Sequence, residues 1–145
     1  MSHPVVEKLK LTYATADQIS SAQLAELYSP DVIFVDPLGR IEGIDRLAGY
    51  IGAVYKNVVS CRFNYLDEFV SGNKVSIKWD MHLRHSRLAG GREIVTRGVT
   101  MLEFDQKVFF HEDIYDVGAM IYEHVPVLGG PVKWLKRRAH NAGTN

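Results

Sequence analysis

Between Val75 and Leu83 the apolar residues Val75, Ile77, Trp79, Met81 and Leu83 alternate strictly with Ser76, Lys78, Asp80 and His82, and Arg84 continues the polar series. A run of period two is the pattern of a β-strand with one face buried and one face wet, and a helix cannot sort such a run into two faces. The preceding stretch has the same period: Val59, Cys61, Phe63 and Tyr65 alternate with Ser60, Arg62 and Asn64, and Ser71-Gly72-Asn73 reads as the turn between the two. These runs predict a long hairpin. Gly90-Gly91 marks the next turn, Arg92 to Phe104 a third strand, Asp105-Gln106 a tight connection and Lys107 to Asp116 a fourth strand. A meander of this size needs cover on one face, and only the N-terminal part of the chain can supply it.

That part has helical spacing. Val5, Leu9 and Tyr13 make one stripe in a helix from Pro4 to Ala16, so that Tyr13 points toward the core. Ser20 and Ser21 offer an N-cap for a second helix, Ala22 to Tyr28, which Pro30 stops. An opening strand, Asp31 to Asp36, and a turn at Pro37 to Gly39 lead to a third helix, Gly43 to Tyr55, packed through Ile44, Leu47, Ile51 and Val54. The expected fold is α+β, a curved antiparallel sheet wrapped around three N-terminal helices, forming one domain over residues 1–117. The tail, 118–145, holds a loop with Pro126, Gly129, Gly130 and Pro131. It ends in a basic turn of about seven residues, Val132 to Arg138, with Trp134 and Leu135. Such a turn is too short for a self-sufficient helix, and a lid or subunit contact is favoured over an anionic membrane surface.

Seventeen basic residues balance seventeen acidic ones in 145, which argues against nucleic acid as a partner. The single cysteine, Cys61, forms no intrachain disulfide, Met1 to Lys10 lacks the apolar run of a signal peptide, and no segment reaches the ~20 apolar residues of a membrane span. A cytoplasmic protein is expected. His82 and His85 face opposite sides of their strand and no His-Glu-x-x-His or paired-cysteine motif occurs, so no metal and no cofactor is expected.

Asp36 is the first candidate for chemistry. It ends an apolar strand immediately before Pro37, where the backbone is held extended, and it reads either as an Asx turn or as a fixed general base. In the last strand His111, Asp113 and Tyr115 share one face, and His111 with Asp113 reads as an acid/base pair or as a structural hydrogen bond. Trp79, Met81, Phe63 and Phe104 are candidates for an apolar ligand pocket or for ordinary core, and Tyr50 and Tyr55 are similar cases.

Tyr13, the run Ala25-Glu26-Leu27-Tyr28-Ser29-Pro30-Asp31-Val32, Asp36-Pro37 and Ile41-Glu42-Gly43-Ile44 resemble the SnoaL-like branch of the nuclear-transport-factor-2-like superfamily, from about Val5 to Asp116. The resemblance implies a cone-shaped roll enclosing a pocket for a small hydrophobic ligand, and a homodimer through the outer sheet face. Ketosteroid isomerases, polyketide cyclases, limonene epoxide hydrolase and non-enzymatic binding modules share that fold. By comparison with the isomerases, Asp36 matches the proton-transferring base and Tyr13 the oxyanion-binding phenol. Thr100 stands where their second donor, a protonated aspartate, is found. The comparison turns His111, Asp113 and Tyr115 toward the pocket, Asp113 at the place of the cyclases' pocket aspartate. The function so implied is an isomerase- or cyclase-like acid-base enzyme on a hydrophobic carbonyl or polyketide-like substrate. The alternative is a non-catalytic ligand-binding or protein-interaction module of the same fold.

Overall fold

A computed structural model describes residues 3–120 and 129–144. The first helix, α1 (Pro4–Tyr13), begins with Pro4 just inside its start and with His3 as N-cap, whose ring nitrogen accepts from the Val5 amide. The second, α2 (Ser21–Leu27), is closed by a capping box: the Gln23 amide donates to Ser20 Oγ and the Ser20 amide to Gln23 Oε1. The chain turns directly from α2 into β1 (Tyr28–Asp36), so the strand starts before Pro30 rather than after it. A short strand not expected from the sequence, β2 (Gly39–Glu42), pairs back on β1 ahead of α3 (Ile44–Val54).

The rest is the expected meander: β3 (Val58–Ser71), β4 (Lys74–His85), β5 (Ile94–Phe104) and β6 (Val108–Tyr115). Gly72 closes the β3–β4 hairpin at φ 60°, which glycine adopts at no steric cost. The six strands form one curved, unclosed sheet in the order β2-β1-β6-β5-β4-β3. It is not purely antiparallel, because β1 runs parallel to β6. Its concave face carries Cys61, Val75, Ile77, Trp79, Met81, Leu83, Leu102 and Phe104, and the helices cover it with Val6, Leu9, Leu24, Leu27, Leu47 and Ile51. The outer face is laced by ion pairs, Arg97 clasping Asp80 at 2.8 and 3.0 Å and His82 meeting Glu93 at 2.9 Å, as the alternation along β4 implied.

Two elements follow the sheet. A single turn, α4 (Val117–Met120), leads toward residues 121–128, and with them the tail loop's Pro126 lies outside the described residues. The basic segment is then corrected: α5 (Gly129–Thr144) is a helix of 16 residues where a seven-residue turn was expected. It is tied to the end of β6 through Lys136 and Asp116, while Trp134 and Leu135 are exposed.

Gly98 on β5 lies directly across from Trp79, and the indole rests on its bare backbone. A β-carbon there would come within 2.6 Å of Trp79 Cζ2. Gly98→Ala is expected to destabilise the domain by about 1–3 kcal/mol through overpacking. The midpoint of chemical unfolding checks this, and an unchanged midpoint would show that the indole is free to move.

Candidate active site

The parallel register pairs Phe34 of β1 with His111 of β6. Two residues further along each strand, and so on the same inward face, stand Asp36 and Asp113. Two carboxylates distant in sequence are thereby brought level on neighbouring strands. Both line a cavity of about 260 Å³ between the sheet and α1 and α3. Its walls are apolar and aromatic, with Leu9, Phe34, Ile51, Phe63, Trp79 and Met81 prominent, and among the described residues no lysine or arginine lines it.

The two carboxylates have different surroundings. Asp36 makes the Asx turn and also faces the cavity. Its Oδ1 accepts from the Leu38 amide at 2.9 Å and the Gly39 amide at 3.2 Å, an Asx turn, while its Oδ2 accepts from the Tyr50 hydroxyl inside the cavity. Both oxygens are occupied. Asp113 uses only Oδ1, which receives the Thr100 hydroxyl at 2.6 Å and meets His111 Nε2 at 2.8 Å. Among the described residues nothing hydrogen-bonds its Oδ2, and the side chain keeps 22% of its surface open.

Behind Asp113 runs a buried chain of polar contacts. Trp79 Nε1 donates to Thr100 Oγ1 at 2.8 Å. On the other side His111 Nδ1 meets the Tyr28 hydroxyl at 2.8 Å, and the Tyr28 hydroxyl meets that of Tyr13 at 2.7 Å. The His111 imidazole is 2% exposed, and Phe34 holds it at a ring separation of 4.5 Å. Each link follows from register: His111 and Asp113 alternate along β6, and Thr100 is the β5 partner of Asp113.

Burial pushes the phenols of Tyr13, Tyr28, Tyr50, Tyr55, Tyr65 and Tyr115 well above their ordinary range. For Tyr115 the neighbouring carboxylates Asp36 and Asp113 add to this, and for Tyr50 the hydrogen bond to Asp36 does so. These groups therefore stay protonated, and Tyr13, Tyr28 and Tyr50 act as hydrogen-bond partners.

Of the residues singled out from sequence, Tyr13, Asp36, Tyr50, Phe63, Trp79, Thr100, His111, Asp113 and Tyr115 all line this one cavity. Phe104 does not, and its expected place in the pocket is corrected. It shares the inward face of β5 with Thr100 and Leu102, but it lies beyond the cavity's floor, where the His3 ring at the start of α1 packs against it at 4.6 Å. Tyr13 faces the cavity as expected, yet its hydroxyl is engaged by Tyr28. Tyr28 itself was missed. It reads as the end of a helix, and the available signal was its even spacing from Val32 and Phe34, which puts it on their inward face. His82 lies outside and His85 lines the cavity, so the two do face opposite ways.

The SnoaL-like domain family matches residues 12–111. The chain belongs to that family. No curated protein matches the sequence. Among solved structures, a proposed SnoaL-like polyketide cyclase from Shewanella denitrificans OS-217 is 25% identical, covering 81% of this chain and 95% of that one with a TM-score of 0.67. A protein with a ketosteroid isomerase-like fold from Catenulispora acidiphila DSM 44928, in complex with trimethylamine, is 16% identical, covering 92% and 98% with a TM-score of 0.70. TerC co-crystallised with polyporic acid is 19% identical, covering 81% and 95% with a TM-score of 0.69. At such identities the last two show a shared fold. This SnoaL-like domain thus carries the family's cone with two carboxylates and a histidine–tyrosine chain inside it.

The raised phenols predict an alkaline limit for the domain. A tyrosine whose folded value lies above its unfolded value, near 10, contributes stability that is whole below that pH and is lost as pH rises through the folded value. Between pH 10 and 12 stability is expected to fall, and phenolate absorbance should rise together with unfolding monitored by circular dichroism. Phenolate absorbance from these six tyrosines near pH 10 in a still-folded protein would contradict their burial.

Proposed function

We propose that this SnoaL-like domain binds an apolar carbonyl or polyketide-like molecule in the cone and moves a proton on it, in the manner of an isomerase or cyclase, with Asp113 as the base. The observation that carries this reading is the asymmetry of the carboxylates. Asp113 offers a vacant Oδ2 to an apolar, aromatic-walled cavity while Thr100 and His111 fix its other oxygen. A base needs a free lone pair and a fixed orientation, and the unengaged Oδ2 and the doubly bonded Oδ1 of Asp113 support that role. Asp36, with both oxygens occupied, acts as a helper that orients Tyr50. Tyr55, Tyr65 and Tyr115 line the same space and their phenols remain protonated, which suits them to hold a developing oxyanion. Relatives described with a polyketide cyclase assignment and with bound polyporic acid support the substrate class.

The test is exchange of α-hydrogens in deuterated water across a panel of enolisable aryl and cyclic ketones, followed by mass spectrometry. Asp113→Asn is expected to slow exchange by about two orders of magnitude or more and Asp36→Asn by clearly less. If Asp36→Asn is the more damaging, the roles are reversed. If no ketone exchanges while ligands still bind, the domain is a non-catalytic binding module, a reading to which the fully occupied Asp36 lends weight.

We further infer a homodimer through the outer face of β4–β6, where Val95, Met101 and Ile114 lie exposed among the charged pairs. Light scattering at micromolar concentration is expected to give the mass of two chains. Substituting Met101 and Ile114 by lysine should give the mass of one.

A further inference from the structure

The hydrogen bonds behind Asp113 have a sense as well as a length. Trp79 Nε1 can only donate, and it donates to Thr100 Oγ1; the single Thr100 proton is then committed to Asp113 Oδ1. That oxygen is an acceptor, so with a carboxylate at Asp113 the facing His111 Nε2 carries a hydrogen. A neutral imidazole then has a bare Nδ1. It takes the Tyr28 proton, and the Tyr28 oxygen takes that of Tyr13. Every hydroxyl in the chain points inward. The outer end is the hydroxyl of Tyr13, a residue that lines the cavity, and its single proton is committed to Tyr28.

We propose that Tyr13, Tyr28 and His111 form a proton relay, by which the cavity takes an enolic or phenolic ligand and holds it as the oxyanion, with its proton stored on the His111–Asp113 pair. The ligand's O–H bond breaks and its electron pair stays on the ligand oxygen. The proton passes to the Tyr13 oxygen, the Tyr13 proton to Tyr28, and the Tyr28 proton to His111 Nδ1. The imidazolium so formed donates through Nε2 to Asp113 Oδ1 and through Nδ1 to Tyr28. Tyr28 now donates to Tyr13, and Tyr13 donates to the ligand oxyanion. One proton has moved and every hydrogen bond in the relay beyond Nε2 has reversed. Tyr13 is thereby an acceptor to the neutral ligand and a donor to the anion, the preference a site gains when it favours the charged form.

Two features of the cavity support this. Tyr28 does not line the cavity and is wholly buried, so it touches no ligand and its phenol serves only to join Tyr13 to His111. No lysine or arginine lines the cavity among the described residues, so an oxyanion there relies on neutral donors, of which the Tyr13 hydroxyl is one. Burial also keeps the Tyr13 and Tyr28 phenols protonated in the resting site. The inference rests on the reading of the cone as a ligand site but not on turnover.

The probe is 4-nitrophenol, whose phenolate absorbs in the visible where the neutral phenol does not. At a pH below the one at which the free phenol half-ionises, the wild-type complex is expected to show the phenolate band. Tyr28→Phe, which cuts the relay without touching ligand, should bind the neutral phenol and lose at least about ten-fold of the bound phenolate signal. In the wild-type protein alone, nitrogen-15 NMR should find His111 Nδ1 without a hydrogen, and both ring nitrogens protonated once nitrophenol is bound. A resting His111 with hydrogen on Nδ1 would overturn the relay, as would a phenolate band unaffected by Tyr28→Phe or no binding of nitrophenol to the wild type. So would a band abolished by Asp36→Asn and untouched by Tyr28→Phe, because the proton then goes to Asp36. Failure here with ketone exchange intact leaves Asp113 as base and removes only the relay.

Discussion

The parallel pairing of β1 with β6 is the constraint on which the site depends. Every other strand contact in the sheet is antiparallel and joins neighbours in sequence, whereas this one joins the first strand to the last. It sets Phe34 beside His111 and carries Asp36 to the level of Asp113. A slip of one residue would turn one of the two carboxylates to the outer face. The pairing also joins the N-terminal strands to the end of the meander, so both carboxylates of the cavity come from the same contact.

Burying so many polar atoms in an apolar cone is costly unless each is paired. The chain from Trp79 through Thr100, Asp113, His111 and Tyr28 to Tyr13 meets that demand by passing hydrogen bonds from one group to the next. Its polarity is set at one end by a donor-only indole, whose position depends on the missing side chain of Gly98. Elsewhere in the described interior only Ser29 Oγ and Thr96 Oγ1 go without a partner. Where the sheet serves as wall it tolerates an idle hydroxyl. Around Asp113 the buried hydroxyl and ring nitrogens are all paired, and among the described residues only Asp113 Oδ2 goes without a hydrogen bond.

How far the residues alone disclosed this varies with the kind of signal. The strands β4 and β5 were legible because a face buried along its length imposes a period of two on the apolar residues, while the turns between strands marked the ends of β3 and β6 and a stripe or cap marked the helices. Asp36 and Asp113 were legible as candidates because each stands at a position where a carboxylate has no packing reason to be. Phe104 was misplaced because period two tells which face a residue occupies but not how deep along the strand the cavity ends. Tyr28 was overlooked because a helix ran straight into a strand with no breaker between them. The length of α5 was underestimated because a polar, exposed helix carries no core-facing stripe to announce it.

The sequence by itself determined the class of fold, the inward and outward face of each long strand, and a short list of groups able to do chemistry. Those follow from local periodicity and side-chain type, which neighbouring residues suffice to express. Only the tertiary structure decided that Asp36 would be saturated and Asp113 open, and that Tyr13 would reach Asp113 through Tyr28 and His111. Hydrogen-bond partners of that kind are chosen by strand register and by the packing of α1 and α3 against β1 and β6. Register between strands far apart in the chain is settled by the whole core at once.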